Sequence, residues 1–287
     1  MNDTSVFDYC GDLVRKLDRD RYLASLYVPA DLRPFVFAVY AFNCEIASIR
    51  EQITNPLIGE IRLQYWTDLL DKKGETESRI LPPVAQAVLE TIRLCHLSVK
   101  DFLVLIEARR FDLYDEPMQS FSDLETYCER TVSTLFRLVG QILTSSKQGG
   151  LSDVFQSYSR QAGICFGITG ILRAFPWSLR KKQFFIPSDI LSRYDLDLSD
   201  LLNGVKTDKI RAVIQMIAGD TQTCLNTCSS SYGQLSAAEK TALLPLSLLP
   251  SYLYSLMEKK YDPYQSRVDL PFWKRHLLLW NGYRKIK

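Results

Sequence analysis

The chain has 287 residues, 46% of them hydrophobic and 24% charged, with a net charge of +2 at pH 7 and both signs interspersed. Such a composition is that of an ordinary globular chain able to bury a sizeable core; it shows no basic footprint for nucleic acid, so no nucleic-acid partner is expected. Seven cysteines, an odd number set inside apolar helical patterns, read as reduced thiols and exclude a disulfide framework.

The opening stretch MNDTSVFDYCGDLVRKLDRDRY is acidic and lacks an apolar h-region, so it reads as neither a secretory signal nor an Arg/Ser-rich transit peptide. Residues 4–18 and 20–27 carry the spacing of two polar-faced helices. Pro29 precedes a strong helix over about 31–53, with Asp31 as the expected N-cap and Pro34 in the first turn, where a missing N–H costs little. A helix of about 57–72 groups Ile58, Ile61, Leu63, Tyr65, Trp66, Leu69 and Leu70 into a broad apolar face. Residues 72–78 read as a polar, mobile loop. Pro82 and Pro83 open a helix of about 83–96, Ser98 caps one of about 99–114, and Ser122 with Glu125 at N3 forms a capping box for one of about 123–143. Gly149 and Gly150 close that unit, and Ser152 caps the long helix that follows. Further helices are expected over about 197–203, 207–234, 236–260 and 271–284. No stretch alternates with period two and no internal repeat or linker is visible, so the expectation is one all-α domain, 1–287. No run reaches the roughly 18 uninterrupted apolar residues of a membrane span; 242–257 comes nearest and is broken by Pro245 and Pro250. The expected location is the cytoplasm, at most peripheral to a membrane.

The stretch QAGICFGITGILRAFPWSLRKKQFFIPSD, residues 161–189, holds the densest set of candidates. Gly163, Gly167 and Gly170 recur at three- and four-residue steps and share a helix face. Each costs about 1 kcal/mol relative to alanine, so the face serves either close helix packing or a ligand lying beside the backbone. Arg173, a break at Pro176, and the cluster Arg180, Lys181, Lys182 follow. Guanidinium forks bind phosphate through paired hydrogen bonds without metal, so this basic run is a candidate anion site, with a solvated loop as the alternative. Glu45, mid-helix among Tyr40, Phe42, Ile46 and Ile49, needs a partner if buried, and Arg50, Arg62 or Arg173 could supply it. Cys224 and Cys228 have no second pair, and only His96 and His276 exist, so neither a zinc site nor a Ser-His-Asp or Cys-His arrangement can be built. Phe184, Phe185, Phe272, Trp273 and Trp280 form either a membrane- or partner-facing patch or buried core.

Residues 161–189 resemble the second signature of the squalene/phytoene synthase superfamily, in which a small-residue helix ends in Arg-Asp-x-x-x-Asp and a basic stretch leads to Leu-Pro. Spacing agrees from Arg173 to Pro187, but the two aspartates fall on Ala174 and Ser178. The helix of about 31–53 resembles the first signature, Asp-Asp-x-x-Asp, whose positions fall on Ala47, Ser48 and Glu51. In that superfamily the two motifs hold Mg²⁺ ions, which bind a prenyl diphosphate and offset the charge of the departing diphosphate, a contribution of several kcal/mol. Glu51 alone keeps an acid, and one carboxylate cannot assemble such a site. Glu107-Ala108-Arg109-Arg110-Phe111-Asp112-Leu113 stands where the family has an Asp-Gly-Met-x-x-Asp-Leu-like element, and Tyr127-Cys128 opens its Tyr-Cys helix, with Val132-Ser133 in place of an Ala-Gly pair.

A closer resemblance is to a divergent branch lacking both aspartate motifs, that of the mitochondrial respiratory complex I assembly factor and its bacterial relatives. Shared strings are Ala41-Phe42-Asn43-x-Glu45-Ile46-Ala47, Ile58-Gly59-x-Ile61-Arg62-Leu63-Gln64-Tyr65-Trp66 and Gly170-x-Leu172-Arg173-Ala174-x-Pro176, with an aromatic, basic C-terminal helix over 272–287. This resemblance implies an isoprenoid-synthase helical bundle around a central cavity and a non-catalytic, assembly or chaperone-like role of the complex I type. Cavity candidates are Tyr40, Asn43, Glu45, Arg50, Arg62, Asp112, Tyr127, Gly163, Gly167, Gly170 and Arg173, with Arg62 and Arg173 closing over a lipid or prenyl ligand. Implied partners are that ligand, complex I subunits and the surface of the inner membrane; no metal or other cofactor is implied. The alternative is an active head-to-head prenyltransferase using farnesyl or geranylgeranyl diphosphate with Mg²⁺, in which Glu45, Glu51 or Asp112 would replace the lost ligands.

Overall fold

The computed structural model describes residues 5–71, 81–145 and 150–286; the loop expected over 72–78 and the turn residue Gly149 lie outside them. α1 (Val6–Leu17) and α2 (Arg19–Ser25) share Asp18, which ends the first helix and caps the second by accepting from the Arg21 N–H at 3.0 Å. α3 (Arg33–Ser48) has Pro34 in its first turn and runs into a 3₁₀ turn, Ile49–Gln52. Its N-cap is Leu32, without a side-chain cap; Asp31 stands one residue outside. α4 (Pro56–Asp71), α5 (Pro83–Cys95) and α6 (Val99–Arg109) follow. On α4 the apolar face divides: Leu63, Trp66, Leu69 and Leu70 are buried, whereas Ile58, Ile61 and Tyr65 face out. His96 ends α5 in the left-handed region, φ 52°, with its N–H on the Ile92 carbonyl.

α7 (Phe121–Cys128), a π turn (Glu129–Ser133) and α8 (Thr134–Thr144) follow without interruption. The capping box is Ser120 with Asp123, two residues before the expected Ser122 with Glu125. Both pairs have the required spacing, and the earlier start is supported by Asp189, whose carboxylate accepts from the Phe121 N–H at 3.5 Å. α9 (Asp153–Arg180) is capped as expected, Ser152 Oγ accepting from the Phe155 N–H at 3.0 Å. Pro176 does not break it: the residue sits one turn from the end, and the loss of one backbone bond is borne by the packed final turn.

α10 (Ser188–Arg193), which the sequence pattern does not announce, and α11 (Leu198–Asn203) lead to α12 (Thr207–Cys228) and a 3₁₀ segment, Ser229–Gln234. The helix expected over 236–260 is three pieces: α13 (Ala237–Ala242), a 3₁₀ turn (Leu244–Leu248) and α14 (Leu249–Met257). Pro245 and Pro250 start the second and third pieces, where their missing N–H groups are tolerated. α15 (Phe272–Arg284) ends the described chain, and no strand occurs among the described residues.

Two apolar clusters hold these helices. In one, Phe42 of α3 packs edge-on to Trp66 and Phe102 at ring distances of 4.9 and 5.3 Å. In the other, Leu172, Ile214, Leu248, Leu253 and Leu256 are fully buried. α9 joins them, giving Phe155, Ala162 and Cys165 to the first and Ile164, Ile168, Leu172 and Phe175 to the second. Each Phe, Ile or Leu among these contributes about 1.5–3 kcal/mol of burial. α9 is long and apolar enough to cross a bilayer by length and composition, but more than half of its apolar window is packed inside the bundle.

Candidate functional site

The two degenerate motifs do come together. Ala47 and Ser48 end α3, Glu51 lies in the 3₁₀ turn beyond, and Trp177, between Ala174 and Ser178 on α9, donates its indole N–H to the Glu51 carboxylate at 3.1 Å. The frame of facing helix ends is therefore kept. Its chemistry is not that of a cation site: Ser48 Oγ donates to the Glu45 carbonyl at 2.9 Å and accepts from Gln52 at 3.0 Å, and Ser178 is buried. Among the described residues no three His, Cys, Asp or Glu side chains gather in a geometry able to hold a metal. One carboxylate already engaged by an indole does not fit the bridged Mg²⁺ ions of an active synthase.

Beside this frame, α3, α6 and α7 enclose a polar network. Arg109 donates to Asp112 at 3.1 Å, to the Tyr127 hydroxyl at 2.7 Å and to Asn43 Oδ1 at 3.1 Å, and Tyr127 donates to Asp112 at 2.7 Å. Burial works against the Arg109 charge, but Tyr127 and Asp112 hold its pKa above the ordinary value; burial also raises Asp112, against the pull of Arg109. Asn43, Asp112 and Tyr127, expected to face a cavity, are thus joined through Arg109, and Tyr127 also lines a pocket of about 360 Å³ with Phe111 and Met118. Arg109 was not among the expected residues; its position three before Asp112 on a helix is the signal that could have found it. Tyr40 is likewise packed, with the Arg21 guanidinium 5.6 Å from its ring and Arg21 paired to Asp18 at 2.5 Å.

Ala174 and Trp177 of the frame also line open space. A cleft of about 790 Å³ runs between the α1–α2 junction, the C-terminal third of α9 and the segment before α15. Asp20 is its hub: it accepts from Arg275 Nε at 2.7 Å, from the Tyr252 hydroxyl at 2.7 Å and from Arg173 at 3.3 Å. The Arg173 guanidinium lies 3.4 Å from the centre of the Tyr252 ring and also donates to the Val268 carbonyl at 3.3 Å. Arg275 pairs with Asp269 as well; burial opposes its charge, while Tyr252 and Asp20 raise its pKa. Lys16, Arg19, Arg173, Arg180, Arg267 and Arg275 line the cleft against Asp18, Asp20 and Asp269, an excess of three cations that favours an anion.

The glycine face divides between close packing and open space. A Cβ on Gly163 would sit 2.2 Å from Ser133 Oγ and 2.5 Å from Ser133 Cα, and one on Gly167 would meet Cys128 at 2.7 Å, so these two let α9 press against α7 and the π turn. Gly170 has no atom within 4 Å of that position and opens on the cleft. Of the eleven expected cavity residues, only Gly170 and Arg173 line it. Arg50 is paired with Asp115 at 2.5 Å, and Arg62 is exposed and donates to Gln52 at 2.9 Å, so Arg62 and Arg173 do not close over a common space. Glu45 forms no ion pair among the described residues; burial pushes its carboxyl up to about 7. Of the aromatic patch, Phe184 is buried and Phe185 packs on Phe111 and Tyr127, leaving Phe272, Trp273 and Trp280 exposed.

A squalene/phytoene synthase sequence model matches residues 14–274. The chain belongs to the squalene/phytoene synthase family. Within the family, the chain is 28% identical over 255 residues to "NADH dehydrogenase (ubiquinone) complex I, assembly factor 6" of Rattus norvegicus, covering 88% of this chain and 74% of the relative. It is 24% identical over 285 residues to the 15-cis-phytoene synthase of Synechococcus elongatus, covering 95% and 90%. Among solved structures, squalene synthase HpnC from Alicyclobacillus acidocaldarius superposes with a TM-score of 0.76 at 22% identity, over 90% of this chain and 95% of that one. A dehydrosqualene synthase gives 0.81 at 15% identity, over 98% and 96%. The chain therefore shares the isoprenoid-synthase helical fold of these solved structures.

Proposed function

We propose that this member of the squalene/phytoene synthase family does not couple prenyl diphosphates but acts as an assembly or chaperone-like factor of the respiratory complex I type. In this reading the cleft beside Gly170 and Arg173 receives the anionic head of a lipid or isoprenoid without metal. One observation carries it: at the facing ends of α3 and α9, Ala47, Ser48, Ala174 and Ser178 offer no carboxylate, and Glu51 accepts from Trp177 at 3.1 Å. Without Mg²⁺ the departing diphosphate loses a stabilisation of several kcal/mol. The relatives named as complex I assembly factors support the class of the role. The cleft's size, about 790 Å³, and its excess of cations support the ligand.

The test is incubation of the purified protein with Mg²⁺ and farnesyl or geranylgeranyl diphosphate. No C30 or C40 hydrocarbon is expected, and robust synthesis of either would overturn the proposal. In a deletion strain, assembled complex I should fall and return with the wild-type gene; unchanged assembly would remove the proposed role.

A further inference from the structure

α15 turns one face away from the rest of the protein. Trp273, Leu277, Trp280 and Arg284 follow at steps of four, three and four residues and so form a single stripe along the helix. The three apolar members are 65%, 46% and 47% exposed, and Phe272 beside them is 62% exposed. The opposite face is anchored: Leu279 is fully buried, and Arg275 is held by Asp20, Asp269 and the Leu270 carbonyl. The stripe is thus a fixed surface feature and not a loose tail.

Its charge identifies what it fits. From residue 272 to residue 287 the sequence contains no Asp or Glu. Lys274 and Lys285 flank the stripe, and the Arg284 guanidinium lies 4.8 Å from the Trp280 ring centre. Indole rings, with an apolar body and one polar N–H, suit the head-group level of a bilayer, and flanking Lys and Arg are drawn to anionic lipid. A protein partner would not require that every carboxylate be absent.

We propose that α15 docks in the plane of an anionic bilayer surface, with Trp273, Leu277 and Trp280 among the head groups and Lys274, Arg284 and Lys285 on lipid phosphates. The helix lies on the membrane and does not cross it, because its inner face carries the Arg275–Asp20 pair. The inference does not depend on what the cleft binds.

The full chain is sedimented with vesicles of phosphatidylcholine alone or with phosphatidylglycerol added, and tryptophan emission is read with brominated-chain lipids. Binding at least tenfold tighter on the anionic vesicles is expected, weakening as salt rises. Lys274→Gln/Arg284→Gln/Lys285→Gln should lower it on the order of 100-fold, since each surface cation contributes about fivefold. Trp273→Ala/Trp280→Ala should lower it at least tenfold on both vesicle types and abolish bromine quenching. Apart from the half-buried Lys274 these side chains are exposed, and circular dichroism of each variant checks that the fold is kept. Equal binding to both vesicle types, no binding, or folded variants that bind like the parent would overturn the proposal. So would a dimer in solution that the tryptophan variant dissolves, because a second copy would then be the occupant.

Discussion

Replacing Glu45 by glutamine should stabilise the protein, and only where the parent carboxyl would be charged. Glu45 sits on α3 with no ion pair among the described residues, and burial moves its pKa from 4.5 to about 7. The same carboxyl, after burial itself, helps push the Cys10 thiol on α1 up to about 12. An acid whose folded pKa exceeds its unfolded one binds more protons in the folded state between the two values. Stability therefore falls as pH rises from about 4.5 to about 7 and is level above. At about 1.4 kcal/mol per pH unit the full cost of the charged form is about 3 kcal/mol. Partial exposure of the side chain screens that charge, and about 1.5 kcal/mol is the expected cost. Urea unfolding of parent and Glu45→Gln at about pH 5 and about pH 8 measures it. The variant should gain about 1.5 kcal/mol at the higher pH and much less at the lower. No gain at pH 8, or the same gain at both, would refute the assignment of Glu45 as an unpaired, half-buried acid.

The glycine face gives a paired test by thermal unfolding. Gly163→Ala drives a Cβ into the Ser133 backbone and should cost about 3 kcal/mol, whereas Gly170→Ala meets nothing within 4 Å and should gain about 0.5–1 kcal/mol of helix propensity. Arg109→Met removes the cation holding Asp112 and Tyr127 and should cost about 3–5 kcal/mol in urea unfolding; a loss below about 1 kcal/mol would mean that the network does not stabilise the fold.

The helices are legible in the sequence because their apolar periodicity and caps are local. Ser152 caps α9 as its position suggests, and Pro245 and Pro250 mark where the expected 236–260 helix divides. The capping box at the start of α7 is not settled locally, since two overlapping frames satisfy the rule and the choice between them involves Asp189, distant in sequence. Of the site, the loss of the carboxylates can be read directly from Ala47, Ser48, Ala174 and Ser178. Which residues face open space cannot, because that depends on partners far along the chain. Asp20 meets Tyr252 and Arg275 across more than 230 residues, and nothing in the pattern around Asp20 announces them. Asn43, Asp112 and Tyr127 were expected to face a ligand, but Arg109 fills the position between them.

The central claim is that the facing ends of α3 and α9 cannot hold magnesium for a prenyl diphosphate. Calorimetric titration of the protein with a non-hydrolysable farnesyl diphosphate analogue, with and without Mg²⁺, tests it most directly. The predicted result is binding that Mg²⁺ does not strengthen and that Arg173→Gln weakens. Binding that appears only with Mg²⁺ and is lost in Glu51→Gln would contradict it.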